Sequence, residues 1–92
     1  DDLYYKIGVH SNKMALKIKN AFAEKGIKLA TDSYTNQVFV DLGQEQINKL
    51  EKDVIFSVEF FGIGENQSSR FVTSWATKEE DVDRLVELIK NL

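Results

Sequence analysis

Apolar residues recur at helical spacing along the first 26 residues of the chain. These apolar positions are Leu3, Ile7, Met14, Ile18, Ala21 and Phe22. Lysine and asparagine stand between them, as expected for a helix with one buried face and one solvated face. Gly26 follows Lys25, at the place where a glycine in a left-handed conformation commonly ends a helix. The pattern predicts one long helix that ends at Gly26.

The middle of the chain shows strand-type patterns separated by turn formers. Val, Phe and Ile alternate with polar residues or form short β-branched and aromatic runs, and both patterns favour strands. Ile47 and Leu50 lie three apart among polar residues, and this spacing favours a small surface helix. The predicted segments are a short strand at 27–30, a turn at 31–36, a strand at 37–42, the helix at 43–52, a strand at 54–63 and a loop at 64–69.

The last third of the chain predicts a strand, a cap and an amphipathic helix. Residues 70–75 read RFVTSW, and Thr77 and Glu80 have the T-x-x-E spacing of a capping box. One helix face then carries Val82, Leu85, Val86, Ile89 and Leu92. The whole order predicts an α+β fold: a two-layer sandwich with a mostly antiparallel sheet of three to four strands and helices packed on one face. A chain of 92 residues is expected to form a single domain over 1–92.

Alternation assigns the strand residues to two faces of the sheet. The helix-facing set is predicted to be Val54, Phe56, Val58, Phe60, Phe71, Thr73 and Trp75. The opposite set is predicted to be Ile55, Ser57, Glu59, Phe61, Arg70, Val72 and Ser74. Ile55, Phe61 and Val72 make this opposite face more apolar than a solvated sheet face usually is, so we expect another protein surface to cover it.

Arg70 raises a question because a guanidinium is costly to bury without a partner. Glu59 could pair with it across adjacent strands as a structural ion pair, and the pattern alone favours this interpretation. Alternatively, the carboxylate comes from a ligand outside the chain.

Composition and charge narrow the classes of function. The chain is 42% hydrophobic and 29% charged, with a net charge of -3 and no cysteine. This composition suits a soluble, cytoplasmic domain without disulfides, and the negative charge argues against nucleic acid as a partner. No apolar run reaches the roughly 20 residues needed to cross a bilayer. The chain begins at Asp1 and its one methionine is Met14, so we expect a processed product or a part of a longer protein.

The chemistry available to an unaided enzyme is sparse. His10 has no second histidine or carboxylate four residues away, so we interpret it as a surface residue. Gly62 and Gly64 fit a hairpin loop better than a nucleotide-binding turn, and the acidic run at 78–83 fits the first turns of a helix better than a metal site. No catalytic, cofactor-binding or metal-binding residue is predicted in the chain.

Three segments carry a resemblance to a known family. RFVTSWATKEEDVDRLVELIK at 70–90 resembles the end of low-specificity L-threonine aldolases and the related β-eliminating lyases, which are pyridoxal-phosphate enzymes of the aspartate-aminotransferase-type fold. HSNKMALKIKNAFAEKGIKL at 10–29 resembles the helix that enters the small C-terminal domain of that family, and SYTNQVFVDL at 33–42 resembles the first strand segment of that domain. The resemblance covers essentially the whole chain. One departure is Ser74, where many relatives have histidine.

The resemblance implies that Arg70 binds the α-carboxylate of an amino-acid substrate, a task that suits a planar guanidinium. It further implies that pyridoxal phosphate and the bond-cleaving groups belong to a large domain upstream, which this chain would contact in a homo-oligomeric (dimeric or tetrameric) parent enzyme. Retro-aldol cleavage of L-threonine or L-allo-threonine to glycine and acetaldehyde is the expected reaction of that parent, and the chain alone is expected to be inactive. Two alternatives stay open, a different β-eliminating lyase and a non-enzymatic regulatory or interaction module.

Overall fold

The computed structural model describes residues 2–29, 36–52, 57–62 and 69–92, with side chains described from Gly8 onward. Its elements follow the predicted order of helices and strands, with one exception treated below. They are α1 (Asp2–Glu24), β1 (Gln37–Val40), α2 (Gln44–Glu51), β2 (Glu59–Phe61), β3 (Ser69–Val72) and α3 (Glu79–Lys90). The predicted turn at 31–36, except Asn36, lies outside the described residues, as do residues 54–56 and 63 of the predicted strand at 54–63 and residues 64–68 of the predicted loop.

The first helix ends where the sequence predicts. After Glu24 the chain makes a turn in which Gly26 has a φ of 82°, a conformation that glycine adopts without steric cost. The amide of Ile27 then donates to the carbonyl of Phe22 over 2.9 Å, so a free carbonyl at the helix end gains a partner. The predicted C-terminal stop at Gly26 is confirmed.

The sheet has three strands in the order β1-β3-β2, and both pairs are antiparallel. In place of the predicted strand at 27–30, Leu29 forms an isolated bridge with Val40. The register sets Phe39 and Phe61 on either side of Arg70. The central strand β3 therefore carries Arg70 between two aromatic neighbours.

The core lies between one face of the sheet and the two long helices. Met14, Ile18 and Phe22 from α1 and Val82, Leu85 and Ile89 from α3 are buried together with Val38, Val40 and Phe71 from the sheet. The Phe71 ring lies 5.5 Å from that of Phe22 and 4.6 Å from that of Phe60, measured between centroids. The predicted two-layer α+β sandwich with helices on one face is confirmed.

The small helix α2 buries Ile47 and Leu50, the two residues that the spacing predicted. Gly62, just after β2, approaches this helix closely: a Cβ on it would lie 2.7 Å from Ile47 Cγ2. The absence of a side chain at this position allows α2 to pack against the end of β2. In the described part of the chain, no helix is long and apolar enough to cross a membrane.

The predicted capping box at Thr77 and Glu80 is wrong. Helix α3 has Lys78 at its N-cap, without a side-chain capping bond. The Thr77 hydroxyl instead accepts from the amide of Ser74 over 2.7 Å and donates to the carbonyl of Ser57 over 2.8 Å. Since these two bonds occupy the hydroxyl, Thr77 stabilises the turn before the helix and the junction with residue 57.

The prediction that Trp75 faces the helices is also wrong. Alternation extends only to the end of β3 and to Thr73 beyond it, both of which agree with the predicted faces. The chain then enters a turn closed by a bond from the Thr77 amide to the Ser74 carbonyl. A turn does not preserve the period of two, and the Trp75 side chain is 72% exposed.

Candidate functional site

Arg70 lies near the middle of the sheet face on which no helix of the described residues packs, and we call this face the outer face. Its neighbours on the central strand, Ser69 and Phe71, point into the core and are at most 1% exposed, whereas Arg70 and Val72 are half-buried on the opposite side. Within the described residues, α1 and α3 pack on the Phe71 side only. The predicted assignment of Arg70 and Val72 to the outer face is confirmed.

Two rows of side chains cross the outer face. The register places Phe39, Arg70 and Phe61 in one row, and Gln37, Val72 and Glu59 in the next. Residues directly opposite one another in an antiparallel sheet have Cβ atoms about 4.5–5.5 Å apart, close enough for side chains to interact. Arg70 thus has an aromatic neighbour on each side.

The Arg70 guanidinium lies over the Phe61 ring, with its central carbon 4.5 Å from the ring centroid. Attraction between a cation and the negative face of an aromatic ring favours this arrangement. The Nε atom of Arg70 is buried and has no hydrogen-bond partner among the residues that the structure describes. The ring contact supports the charge without supplying an acceptor for its N–H groups.

The predicted ion pair between Glu59 and Arg70 is not formed. Glu59 is opposite Val72, one row away from Arg70, because the register pairs Arg70 with Phe61. In the described ranges, the ion pairs join Lys17 to two carboxylates on the helix side. The outer face therefore offers Arg70 an aromatic platform and, in the part of the chain that is described, no carboxylate within ion-pair distance.

A hollow of ≈ 250 Å³ adjoins the second row at the end of the sheet. Ser57, Glu59, Val72, Ser74 and Ala76 line it. Its lining combines hydroxyl groups and a carboxylate with apolar surface. The exposed Trp75 belongs to the turn that borders this hollow, and we call this turn the rim. Polar and aromatic side chains therefore extend from the Arg70 row to the rim.

Side-chain hydrogen bonds hold this rim against the helices. His10 Nε2 lies 2.7 Å from the carbonyl oxygen of Thr77, and because a carbonyl only accepts, the histidine donates. The Thr73 hydroxyl donates to the carbonyl of Ser11 over 2.7 Å. The prediction of His10 as a surface residue is therefore incomplete, since it ties α1 to the turn after β3. Sequence spacing gave no signal of this contact across 67 positions.

The other candidate chemistry of the sequence occupies structural positions. Glu79, Glu80 and Asp81 form the first turn of α3, where acidic side chains favour the positive end of the helix dipole. Among the described residues, no group of three histidine, cysteine or acidic side chains could hold a metal ion. The strands of the outer face contain no lysine.

The aromatic flank of Arg70 was only partly visible in the sequence. Alternation placed Phe61 on the same face as Arg70, but Phe39 was not connected with the site. Strand register decides which side chains stand opposite, and the connection between Phe61 and Ser69 is longer than the two-residue turns whose type fixes a register. The repeated aromatic residues at 39 and 61 were the available signal.

A solved structure of a threonine aldolase from Leishmania major is similar to the chain, with 36% sequence identity and a TM-score of 0.84. The similarity covers 99% of this chain and 27% of the aldolase chain. No protein-family model matches the sequence, and no curated protein matches it. The chain therefore corresponds over its whole length to about a quarter of a longer enzyme chain.

Proposed function

We propose that the chain is the small C-terminal domain of a threonine-aldolase-like enzyme, in which Arg70 binds the α-carboxylate of the amino-acid substrate. The observation that carries the proposal is the guanidinium itself. It lies on the helix-free face, is supported by the Phe61 ring, and has no carboxylate partner among the described residues. The similarity to the Leishmania major threonine aldolase supports the enzyme class.

The outer face suits a role in closing an active-site cleft. It carries the half-exposed Phe61, 40% accessible, and borders the exposed Trp75. Apolar surface of this kind is typical of faces that another protein surface covers. We propose that the large domain of the same enzyme covers it, so that Arg70 points into the space between the two domains.

Arg70 would then orient the substrate. A guanidinium and a carboxylate are both planar, and two parallel N–H···O bonds fix the direction as well as the position of the ligand. Exclusion of water by the closed cleft strengthens such a charged contact. Holding the carboxylate fixed would align the bond between the α and β carbons for retro-aldol cleavage of L-threonine or L-allo-threonine to glycine and acetaldehyde.

The described residues around Arg70 do not fit a binding site for the cofactor of such enzymes. Pyridoxal phosphate supplies an electron sink through an amine-linked ring, and this requires a lysine at the site. The strands of the outer face contain none, while Lys17 and Lys25 donate to acceptors on α3. We propose that the cofactor is held by the part of the parent enzyme outside this chain.

Assays of the full-length protein test this proposal. Purified with pyridoxal phosphate, it should release acetaldehyde from L-threonine or L-allo-threonine, and it should do so faster than it releases pyruvate from β-chloro-L-alanine. The 92-residue chain alone should show no stoichiometric change in the visible absorbance of added cofactor. Pyruvate release without acetaldehyde would favour a β-eliminating lyase, and absence of both activities would favour a regulatory or interaction module.

A further inference from the structure

We propose that Phe61 is a positioning residue that holds the Arg70 guanidinium in one plane, so that a carboxylate ligand meets its two terminal nitrogens, Nη1 and Nη2. The inference rests on the proposed function of Arg70 and goes beyond it. It assigns a role to a residue that does not itself bind the carboxylate, and it specifies which edge of the guanidinium receives the ligand.

The Phe61 ring lies next to the Arg70 guanidinium. Phe61 stands directly opposite Arg70 in the pairing of β2 with β3, and its ring centroid is 4.5 Å from the guanidinium carbon. This distance lies well inside the range of about 6 Å over which cation and ring attract each other. A flat group held over a flat ring loses freedom to tilt, so the ring limits the orientation of the guanidinium.

Burial of the Arg70 Nε atom limits how a carboxylate can bind. A guanidinium can offer a carboxylate two kinds of fork, either Nε with one terminal nitrogen or the two terminal nitrogens together. Arg70 Nε is buried and, in the described part of the chain, has no hydrogen-bond partner. A ligand that approaches from the open face therefore reaches the terminal nitrogens, and the fork that includes Nε is closed.

Residues of the chain itself orient the Arg70 guanidinium. Arginine has a long side chain with many rotamers, and ordering it during binding reduces affinity. The ring contact and the burial of Nε, both made by residues of the chain itself, restrict the Arg70 side chain. Phe61 thereby contributes to binding through Arg70 by reducing the ordering that the substrate must impose.

Phe61 also has little part in the core. Its side chain is 40% exposed on the outer face, whereas its neighbour Phe60 packs against the core. Replacing Phe61 with leucine opens no core cavity, so the variant should fold. This separates a positioning role from a general role in stability.

Phe61→Leu in the full-length enzyme should raise the KM for the amino-acid substrate by roughly 3- to 30-fold, from the usual strength of a cation–ring contact. The kcat should change by less, because a fixed carboxylate contact acts on bound substrate and transition state alike. Phe61→Trp should restore most of the loss, since it retains an aromatic face. Phe39→Leu is the matched control. It should raise the KM by less than Phe61→Leu, because Phe39 also stands opposite Arg70 but the guanidinium lies over the ring of Phe61.

A double-mutant cycle separates this inference from the proposed function. If Phe61 acts through Arg70, Phe61→Leu should have no further effect on KM in an Arg70→Ala background. An equal loss in both backgrounds would overturn the positioning role and leave the proposed function intact. Unchanged kinetics for Arg70→Ala alone would overturn the proposed function and, with it, the carboxylate part of this inference.

Nuclear magnetic resonance of the 92-residue chain tests the geometry without any activity. The sequence has two arginines, Arg70 and Arg84, so ¹⁵N labelling of arginine gives two Nε signals, and the exposed Arg84 serves as the internal reference. The Nε proton of Arg70 should exchange with water more slowly than that of Arg84, and ring currents should displace the Arg70 guanidinium signals upfield. Phe61→Leu should abolish the displacement. Identical exchange and shifts for the two arginines in the unmodified chain would overturn the inference.

Discussion

At the scale of single residues, the outer face shows how a charged side chain can be held without an ion pair. Arg70 was correctly assigned to this face because alternation along a short strand follows directly from backbone geometry. Its partner was not predictable in the same way. Whether Glu59 or Phe61 stands opposite depends on a register that the connecting loop sets, and the structure selects Phe61.

Two buried hydroxyl groups, Ser69 and Thr73, allow a comparison at the same scale. Both residues are fully buried, but Thr73 Oγ1 donates to the Ser11 carbonyl whereas Ser69 Oγ has no hydrogen-bond partner within the described ranges. An unsatisfied buried polar group destabilises a fold, and loss of a satisfied one costs about 1–3 kcal/mol.

Ser69→Ala should therefore leave the free energy of unfolding unchanged or raise it by up to about 1 kcal/mol, while Thr73→Val should lower it by about 1–3 kcal/mol. Urea unfolding of the two variants and the unmodified chain measures both values. A loss for Ser69→Ala as large as that for Thr73→Val would show that the Ser69 hydroxyl has a partner.

At the scale of elements, the sequence predicted the helices well and their boundaries less well. The amphipathic face of α3 was predictable because five apolar residues repeat at helical spacing. The cap was not, because the Thr77 hydroxyl has competing partners, Ser74 and Ser57, of which Ser57 is distant in sequence. Local motifs fail where tertiary contacts compete for the same atom.

The packing of α2 against β2 predicts that replacing glycine with alanine changes the free energy of unfolding in opposite directions at Gly62 and at Gly8. A Cβ at Gly62 would lie 2.6 Å from Glu51 Oε1 and 2.7 Å from Ile47 Cγ2, whereas one at Gly8, within α1, meets nothing within 4 Å. Gly62→Ala should lower the free energy of unfolding by about 1–3 kcal/mol through overpacking. Gly8→Ala should raise it by about 0.5–1 kcal/mol, the usual gain for alanine inside a helix. Thermal and urea unfolding distinguish the signs, and stabilisation by both would contradict the close packing at Gly62.

The contact between α1 and α3 should depend on pH. Lys17 Nζ lies 2.9 Å from Glu79 Oε2 and 2.5 Å from Asp83 Oδ1. The hydrogen bond from Lys17 lowers the pKa of Glu79 below its ordinary value of 4.5, and the hydrogen bonds to Asp83 and then Glu79 raise the pKa of Lys17 above 10.5. The stabilisation by these ion pairs is thus complete between the two ordinary pKa values. It is lost as the pH falls through the lowered pKa of Glu79 or rises through the raised pKa of Lys17.

Lys17→Met removes the cation and keeps most of the aliphatic stem, so it tests this pH dependence. The difference in melting temperature from the unmodified chain should be small at pH 7, because all three side chains are partly exposed, and it should shrink further in acid and in high salt. Lys49→Met on α2 is the control. A difference that stays constant from pH 7 to pH 3 would mean that Lys17 contributes through packing alone.

At the scale of the whole molecule, the sheet has one face covered by helices and one that, in the described residues, carries only side chains. The covered face was predictable from the buried positions of the strands. The open face was predicted to meet another protein surface, and the similarity to about a quarter of a longer aldolase chain agrees with such a surface. No pattern within the chain specifies which surface covers this face.

Kinetics of Arg70→Ala in the full-length protein, assayed for the proposed aldolase activity, test the central claim most directly. Loss of a charge-assisted contact worth about 1.5–3 kcal/mol should lower kcat/KM by roughly 10- to 100-fold or more, at ~1.4 kcal/mol per decade. Arg70→Lys should recover only part of the loss, because it keeps the charge without the two-pronged geometry. Cofactor absorbance and melting temperature should stay near those of the unmodified enzyme. A variant that loses several kcal/mol of stability while its folded fraction keeps normal kinetics would show instead that Arg70 serves the fold and not the substrate.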